Sequence, residues 1–336
     1  MPNLNVTDHF RLTFAESFRE VVQQSKSRLR EAVNTVTGCT GVGKQIDFVL
    51  PLQDEETTGQ RYKKVTLRDL ETNARWYYPR SFDIPSGESR WDEKSLAPTV
   101  MPNGKHVIAH AAAFNRRCDS IIMEALVGFA YTGKTGADST ALPFSQTVPV
   151  NYMPPGTAAG ANFLDTGLTV SKLIEAIRIL KANEAWNVDE RANGTKLYSI
   201  IDSATEAFLK NEANKAAGDR LFSRDFDTTP SYDANGTLVN FLGINFINYE
   251  KIPTLALAGG VTNTGISTTI DGSVTAGTGK KVAVFTSTAL EFGVWNDIQT
   301  SVDIRPDLSN AVQFLSQYSL GAGREQEEKV VQIIVK

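Results

Sequence analysis

The sequence predicts an α+β protein, and three observations carry that expectation. Two stretches, about residues 106–130 and 168–186, repeat apolar residues at helical spacing. Most of the C-terminal part, in contrast, breaks into short apolar, β-branched runs bounded by Gly, Ser, Thr and Pro. Helical and strand-like segments also follow one another without the regular alternation of a parallel sheet. A chain of 336 residues, 41% hydrophobic and 21% charged, is long enough for one large or two medium domains with a sizeable core.

Taken in order, residues 14–36 come first. Phe14, Phe18, Val21, Val22, Leu29, Val33 and Val36 recur at helical spacing with charged residues between them, and Gly38 is placed to end a helix. QIDFVLPL, residues 45–52, reads as a strand, and Pro51 puts it at a sheet edge. Residues 53–101 are dense in charge and aromatics, with YKKVTL and ARWYYPRSFDIP as two β-arms. So long a segment with few aliphatics is unusual inside a compact domain, so its stabilising contacts are expected from a neighbouring molecule. Residues 106–130 form an apolar-faced helix, followed by a Gly/Ser/Thr loop. The second strong helix starts near Leu168, with Thr169 as its cap and Leu173, Ile174, Ile177 and Leu180 on one side. KLYSIID is a strand, SATEAFLKNEANKA a helix, and LVNFLGINFINYEKIP a pair of short strands. Residues 258–280 read as a mobile loop or hairpin tip, and a strand-rich run closes the chain.

Composition excludes several functions. Thirty-eight acidic against thirty-four basic residues give a net charge of −4, so no global field draws the chain to nucleic acid or anionic membrane. No apolar run is long enough for a membrane span, and the first residues lack the basic start and apolar block of a signal peptide. Cys39 and Cys118 read as separate reduced thiols.

Residues 128–135, GFAYTGKT, match the phosphate-loop pattern G-x-x-x-x-G-K-[ST] completely, and GCTGVGKQ at 38–45 matches all but its last position. Such a loop needs a strand before it and a helix N-terminus after it, where free N–H groups meet the phosphates. Both matches have the reverse context: an apolar helix before and no helix after. A nucleotide hydrolase using Lys134 and Thr135 is therefore the weaker reading, and Gly-rich helix termination by Gly133 and Gly136 the stronger. His106 and His110 lie four residues apart but lack the glutamate of a zinc-protease motif. Asp54, Glu55 and Glu56 read as a solvated turn. Arg116, Arg117 and Asp119 read as a charged helix face or interfacial ion pairs. No catalytic, cofactor or metal residues are assigned.

The order of segments is informative where the motifs are not. ARWYYPRSFDIP, SRWDEKSL, AAAFNRRCDSIIMEALVGFAYTGKTG, LTVSKLIEAIRIL and the ending FTSTALEFGVW…YSLGAGREQEEKVVQIIVK together resemble the major capsid proteins of tailed bacteriophages, with the Hong Kong phage 97 (HK97)-like fold. The resemblance implies an N-terminal arm at 1–44 and an extended E-loop at 45–104. It places a peripheral P-domain at 105–195 and 301–336, with a spine helix at about 168–187, and an axial A-domain at 196–300. Because the E-loop of such proteins crosses a neighbouring subunit, Trp76, Tyr77, Tyr78, Arg80, Phe82 and Trp91 are expected as intersubunit anchors. The implied partners are other copies, as hexamers and pentamers of a closed shell, with a portal protein and, in shells that carry one, a decoration protein. Packaged double-stranded DNA would be held without sequence specificity. No long charged helical segment precedes the arm, so a separate scaffolding protein is expected. A nanocompartment (encapsulin-like) shell protein of the same fold is the nearest alternative.

Overall fold

The computed structural model describes residues 26–50, 69–88, 103–152, 166–217, 230–257 and 277–336, with the single positions Gln24, Leu52, Asp54 and Pro154. YKKVTL, SRWDEKSL with Trp91, and residues 258–276 lie outside the described residues. Among the described residues the strands form three sheets, two of which share one hydrophobic core.

The central sheet has the order β7-β16-β13-β8-β11-β10-β9, and β12 also pairs with β13. Its strands are β7 (Thr147–Val148), β8 (Leu197–Ile201), β9 (Ser231–Tyr232), β10 (Leu238–Phe241), β11 (Ile244–Asn248), β12 (Thr254–Leu257), β13 (Gly277–Thr286) and β16 (Val330–Val335). All six side chains of β16 are buried, as are Val282, Ala283, Val284 and Phe285 of β13. Continuous apolar runs of this kind suit strands covered on both faces. β8 and β11 run parallel, and α4 (Ser203–Ala217) lies in the connection between them. The two residues between β10 and β11, Leu242 and Gly243, both take positive φ, the turn geometry that matches strand twist in a two-residue hairpin.

Helix α2 (Val170–Ala182) packs against β16 with Leu173, Ala176 and Leu180 fully buried. Thr169 is its N-cap, its hydroxyl accepting from the Lys172 N–H at 3.3 Å. A helix thus lies within the expected span but is shorter than 168–187, and the five-residue α3 (Val188–Ala192) follows it.

The long sheet has the order β1-β14-β15-β4, from β1 (Asn34–Thr37), β4 (Arg80–Glu88), β14 (Leu290–Arg305) and β15 (Ala311–Arg324). EFGVW and IQTSVDIR belong to one strand with two register shifts. Helix α1 (Asn103–Val127) packs chiefly on β14 and β15. The small sheet has the order β2-β3-β5-β6, from β2 (Lys44–Val49), β3 (Thr72–Tyr77), β5 (Ala130–Thr132) and β6 (Asp138–Thr140).

Two expectations are corrected. The helix expected over 14–36 does not extend through its described part. Only Arg30–Ala32 makes a 3-10 turn, and Asn34–Thr37 runs as β1, parallel to β14. Asn34, Thr35, Val36 and Thr37 suit an extended strand, and pairing with β14 outweighs a weak helical periodicity. Gly38, with φ +74°, therefore turns the chain out of a strand rather than a helix. Gly133 and Gly136 likewise do not end α1, which stops before Gly128. Their positive φ values, +88° and +69°, shape the turn between β5 and β6.

Candidate assembly surface

The aromatic excursion links two sheets. β3 belongs to the small sheet, and after Tyr78 and Pro79 the chain enters β4, which pairs with β15 from Arg80↔Leu320 to Glu88↔Val312. Strand alternation sends Arg75 and Tyr77 inward and leaves Trp76 on the other face.

Tyr77 is 1% exposed. Its hydroxyl donates to Glu291 Oε1 at 2.7 Å, and its ring meets Trp295 edge-on with centroids 5.5 Å apart. The ring lies against Gly293 and Gly323, where an added Cβ would come within 2.6 and 2.9 Å of it. Burial, with the hydrogen bond to Glu291, pushes this phenol well above its ordinary range. Lys44 of β2 pairs with the same carboxylate. Tyr77 thus anchors the small sheet to β14 of its own chain.

Trp76 and Tyr78 hold the β5–β6 turn. Trp76 Nε1 donates to the Gly133 carbonyl at 2.8 Å, and an added Cβ on Gly136 would come within 2.8 Å of the indole. The Tyr78 hydroxyl donates to Thr135 O at 3.1 Å, while its ring meets Tyr131 edge-on at 5.4 Å. Phe82 stacks on Tyr318 with centroids 5.5 Å apart, and the Arg117 guanidinium lies 4.8 Å over its ring. Arg80, half exposed, pairs with Glu124 of α1 at 2.8 Å. Trp91 lies outside the described residues. Five of the six expected anchors therefore also have partners within the chain. Beside them, Phe129 at 68% and Tyr131 at 46% exposure, with Val49 of β2 at 56%, leave apolar surface on and beside the small sheet.

The phosphate-loop match is accounted for by the same geometry. α1 ends before it, and the match itself runs through β5 into the turn of the β5–β6 hairpin, with no helix after it. The helix end presents carbonyls, and those of Leu126 and Gly128 accept from Arg324 Nη1 at 3.0 and 2.9 Å. Lys134 is exposed in the hairpin turn, away from any helix N-terminus.

His110 is buried between two serines, its Nε2 2.9 Å from Ser86 Oγ and its Nδ1 2.7 Å from Ser316 Oγ. The structure does not describe the His106 side chain. Among the described residues no group of three His, Cys, Asp or Glu side chains is arranged to hold a metal ion. Cys39 and Cys118 are free and buried, and burial pushes the Cys118 thiol up to about 12.

Sequence reasoning missed the role of Asp119. Rather than lying on a charged surface it is fully buried. Its carboxylate accepts from Ser27 Oγ at 2.6 Å, from the Arg28 and Leu29 N–H groups at 3.1 Å, and from Gln24. It thereby fastens the first described residues to α1. Helical phase offered the signal: Asp119 falls in line with Ala112, Ile122 and Leu126, all buried.

The comparisons with known proteins agree with this architecture. A family model described as phage capsid protein matches residues 6–336. No curated protein matches the sequence at a significant level. Among solved structures, the chain is similar to the capsid asymmetric unit of cyanophage Pam1, with 12% identity, TM-score 0.64 and 96% of each chain covered. It is similar to the capsid of Ralstonia phage GP4, with 11% identity, TM-score 0.63 and coverage of 95% of this chain and 93% of that one. It also resembles the acidic stable capsid of Helicobacter pylori bacteriophage KHP30, with 11% identity, TM-score 0.64 and coverage of 95% and 94%.

Proposed function

Because this chain belongs to the phage capsid protein family and is a major capsid protein with the HK97-like fold, we propose that its copies form hexamers and pentamers that close into an icosahedral shell around double-stranded DNA. The family match over residues 6–336 carries this reading. The work is mechanical: repeated interfaces hold the shell closed, and no catalysis is assigned to the chain. A net charge of −4 suits a container that does not bind its DNA tightly.

In this reading residues 1–44 are the arm, 45–104 the E-loop, 105–195 and 301–336 the peripheral domain, and 196–300 the axial domain. Trp76, Tyr78, Arg80, Phe82 and Trp91 contribute to contacts with the neighbouring subunit, while Tyr77 supports that surface from inside. The other partners are a separate scaffolding protein and a portal protein. Assembly takes place in the host bacterial cytoplasm, and the finished protein resides in the virion.

Electron microscopy of the protein expressed with its scaffold tests this. Closed shells or capsomer rings are the expected result, and monomers under every assembly condition would overturn it. DNA inside particles recovered from infected cells, rather than a protein cargo, separates a phage head from a nanocompartment.

A further inference from the structure

The second half of β14 presents an open strand edge. β1 pairs with β14 only from Glu291 to Val294, and register shifts at Val294/Asn296 and Asn296/Gln299 set that half apart from the rest. Beyond them the pairing with β15 is regular, from Gln299↔Gln317 to Arg305↔Ala311. The other edge of this stretch has no strand partner among the described residues. Every residue from Gln299 to Ile304 is exposed. Val302, at 58% exposure, and Ile304, at 68%, share one face with their cross-strand neighbours Phe314 and Val312.

An open edge offers a row of N–H and C=O groups to another strand, and proteins that must avoid such pairing guard it with lysine or proline. The run Gln299–Arg305, QTSVDIR, holds neither. Its charges are Asp303 and Arg305, and the Arg305 guanidinium donates to Asp307 and Gln313. A second copy brings the same edge. Related by a two-fold axis normal to the sheet, the two strands run antiparallel, and one residue lies opposite its own copy. Centring on Asp303 sets carboxylate against carboxylate, which is destabilising. Centring on Ile304 brings in Pro306, which has no N–H to give. Centres ahead of Val302 carry the pairing into the irregular stretch before Gln299. Centring on Val302 uses the whole run. Val302 then meets Val302, Thr300 meets Ile304, the Ser301 hydroxyl meets the Asp303 carboxylate, and Gln299 meets Arg305. No like charges are opposed.

We propose that this edge of β14 joins two copies of the chain, antiparallel, across a two-fold axis at Val302. The two long sheets become continuous, and Val302 and Ile304 bury apolar surface that one subunit alone leaves in water. The contact rests on the reading that copies of this chain build a shell, and it names one edge by which they are joined in pairs.

Disulfide trapping in assembled particles tests it. Directly opposite residues have Cα atoms about 4.5–5.5 Å apart, within the span a disulfide bridges. Val302→Cys particles should therefore yield subunit dimers on a non-reducing gel after mild oxidation, and monomers after reduction. Gln299→Cys, also at an exposed position, should yield none, because its two copies lie about 20 Å apart along the strands. Cys39 and Cys118 are buried and should stay unlinked. V302C particles without dimers, or equal dimer yields from Q299C, would overturn the contact and leave the shell-forming reading standing. A protein that never assembles would overturn both. If V302C does not fold or assemble, hydrogen exchange of the unmodified protein decides. N–H groups of residues 299–305 should exchange about tenfold or more slower in particles than in free subunits, and equal exchange overturns the contact.

Discussion

The central sheet and the small sheet are held in place in different ways. In β16 and the second half of β13 nearly every side chain is buried, so both faces of those strands stabilise the fold. In β2 burial alternates, with Gln45, Asp47 and Val49 exposed, and β3 leaves Trp76 only partly covered. The small sheet is fastened at a few points instead: Tyr77 and Lys44 on Glu291, and Arg75 on Glu327. Stability thus concentrates in one region and available surface in the other. Contact surfaces and moving elements belong to the less stable part of a fold.

The largest effect expected from breaking this contrast is in the central sheet. Phe285 is fully buried on β13 beside Tyr198, with ring centroids 6.0 Å apart. Phe285→Ala should cost ~3–5 kcal/mol of folding stability, measured by urea or thermal unfolding of the subunit. A loss under about 1 kcal/mol would mean that the core is not centred on this sheet.

Trp76→Ala asks the same question of the small sheet. It removes one hydrogen bond to Gly133 and the packing over Gly136, so the expected loss is only about 1–2 kcal/mol. Assembly should suffer more than folding: a normal unfolding transition but few closed particles by electron microscopy. If the variant unfolds readily yet any folded protein still assembles normally, Trp76 is a core residue and not an interface residue.

The same contrast decides what the sequence made legible. KVVQIIVK and KVAVF read as strands because a covered strand leaves a continuous apolar run. α2 was legible from its period and from Thr169, since a cap is a local interaction. The stretch at 34–37 was not, because its partner β14 lies far along the chain and the spacing of Val33 and Val36 also fits a helix. Arg75 and Glu327 are 252 positions apart, and neither has a neighbour in sequence that betrays the pairing. Tyr77 and Phe82 stood out in the sequence as aromatics of a charged, sparsely aliphatic stretch. Their partners inside the chain, Glu291, Trp295 and Tyr318, did not, because only the folded topology brings those strands together.

The smallest expected effect is a response to acid, and it locates an electrostatic component within the central region. Asp202 precedes α4, accepts from the Thr205 N–H at 3.0 Å, and pairs with Lys280 of β13. Burial works to raise its pKa, but the hydrogen bonds from Lys280 and Thr205 outweigh that and hold it below the ordinary carboxylate value. A carboxyl group whose pKa is depressed on folding stabilises the protein fully above its unfolded pKa, about 3.9. That contribution is lost as pH falls through the lower folded value. Stability measured by urea unfolding should therefore decline as pH drops below about 4. Asp202→Asn should start from lower stability at neutral pH and lose less over the acid range. Equal acid slopes in the two proteins would show that the junction of α4 and β13 is held by packing, and would make the central sheet uniformly apolar in its support.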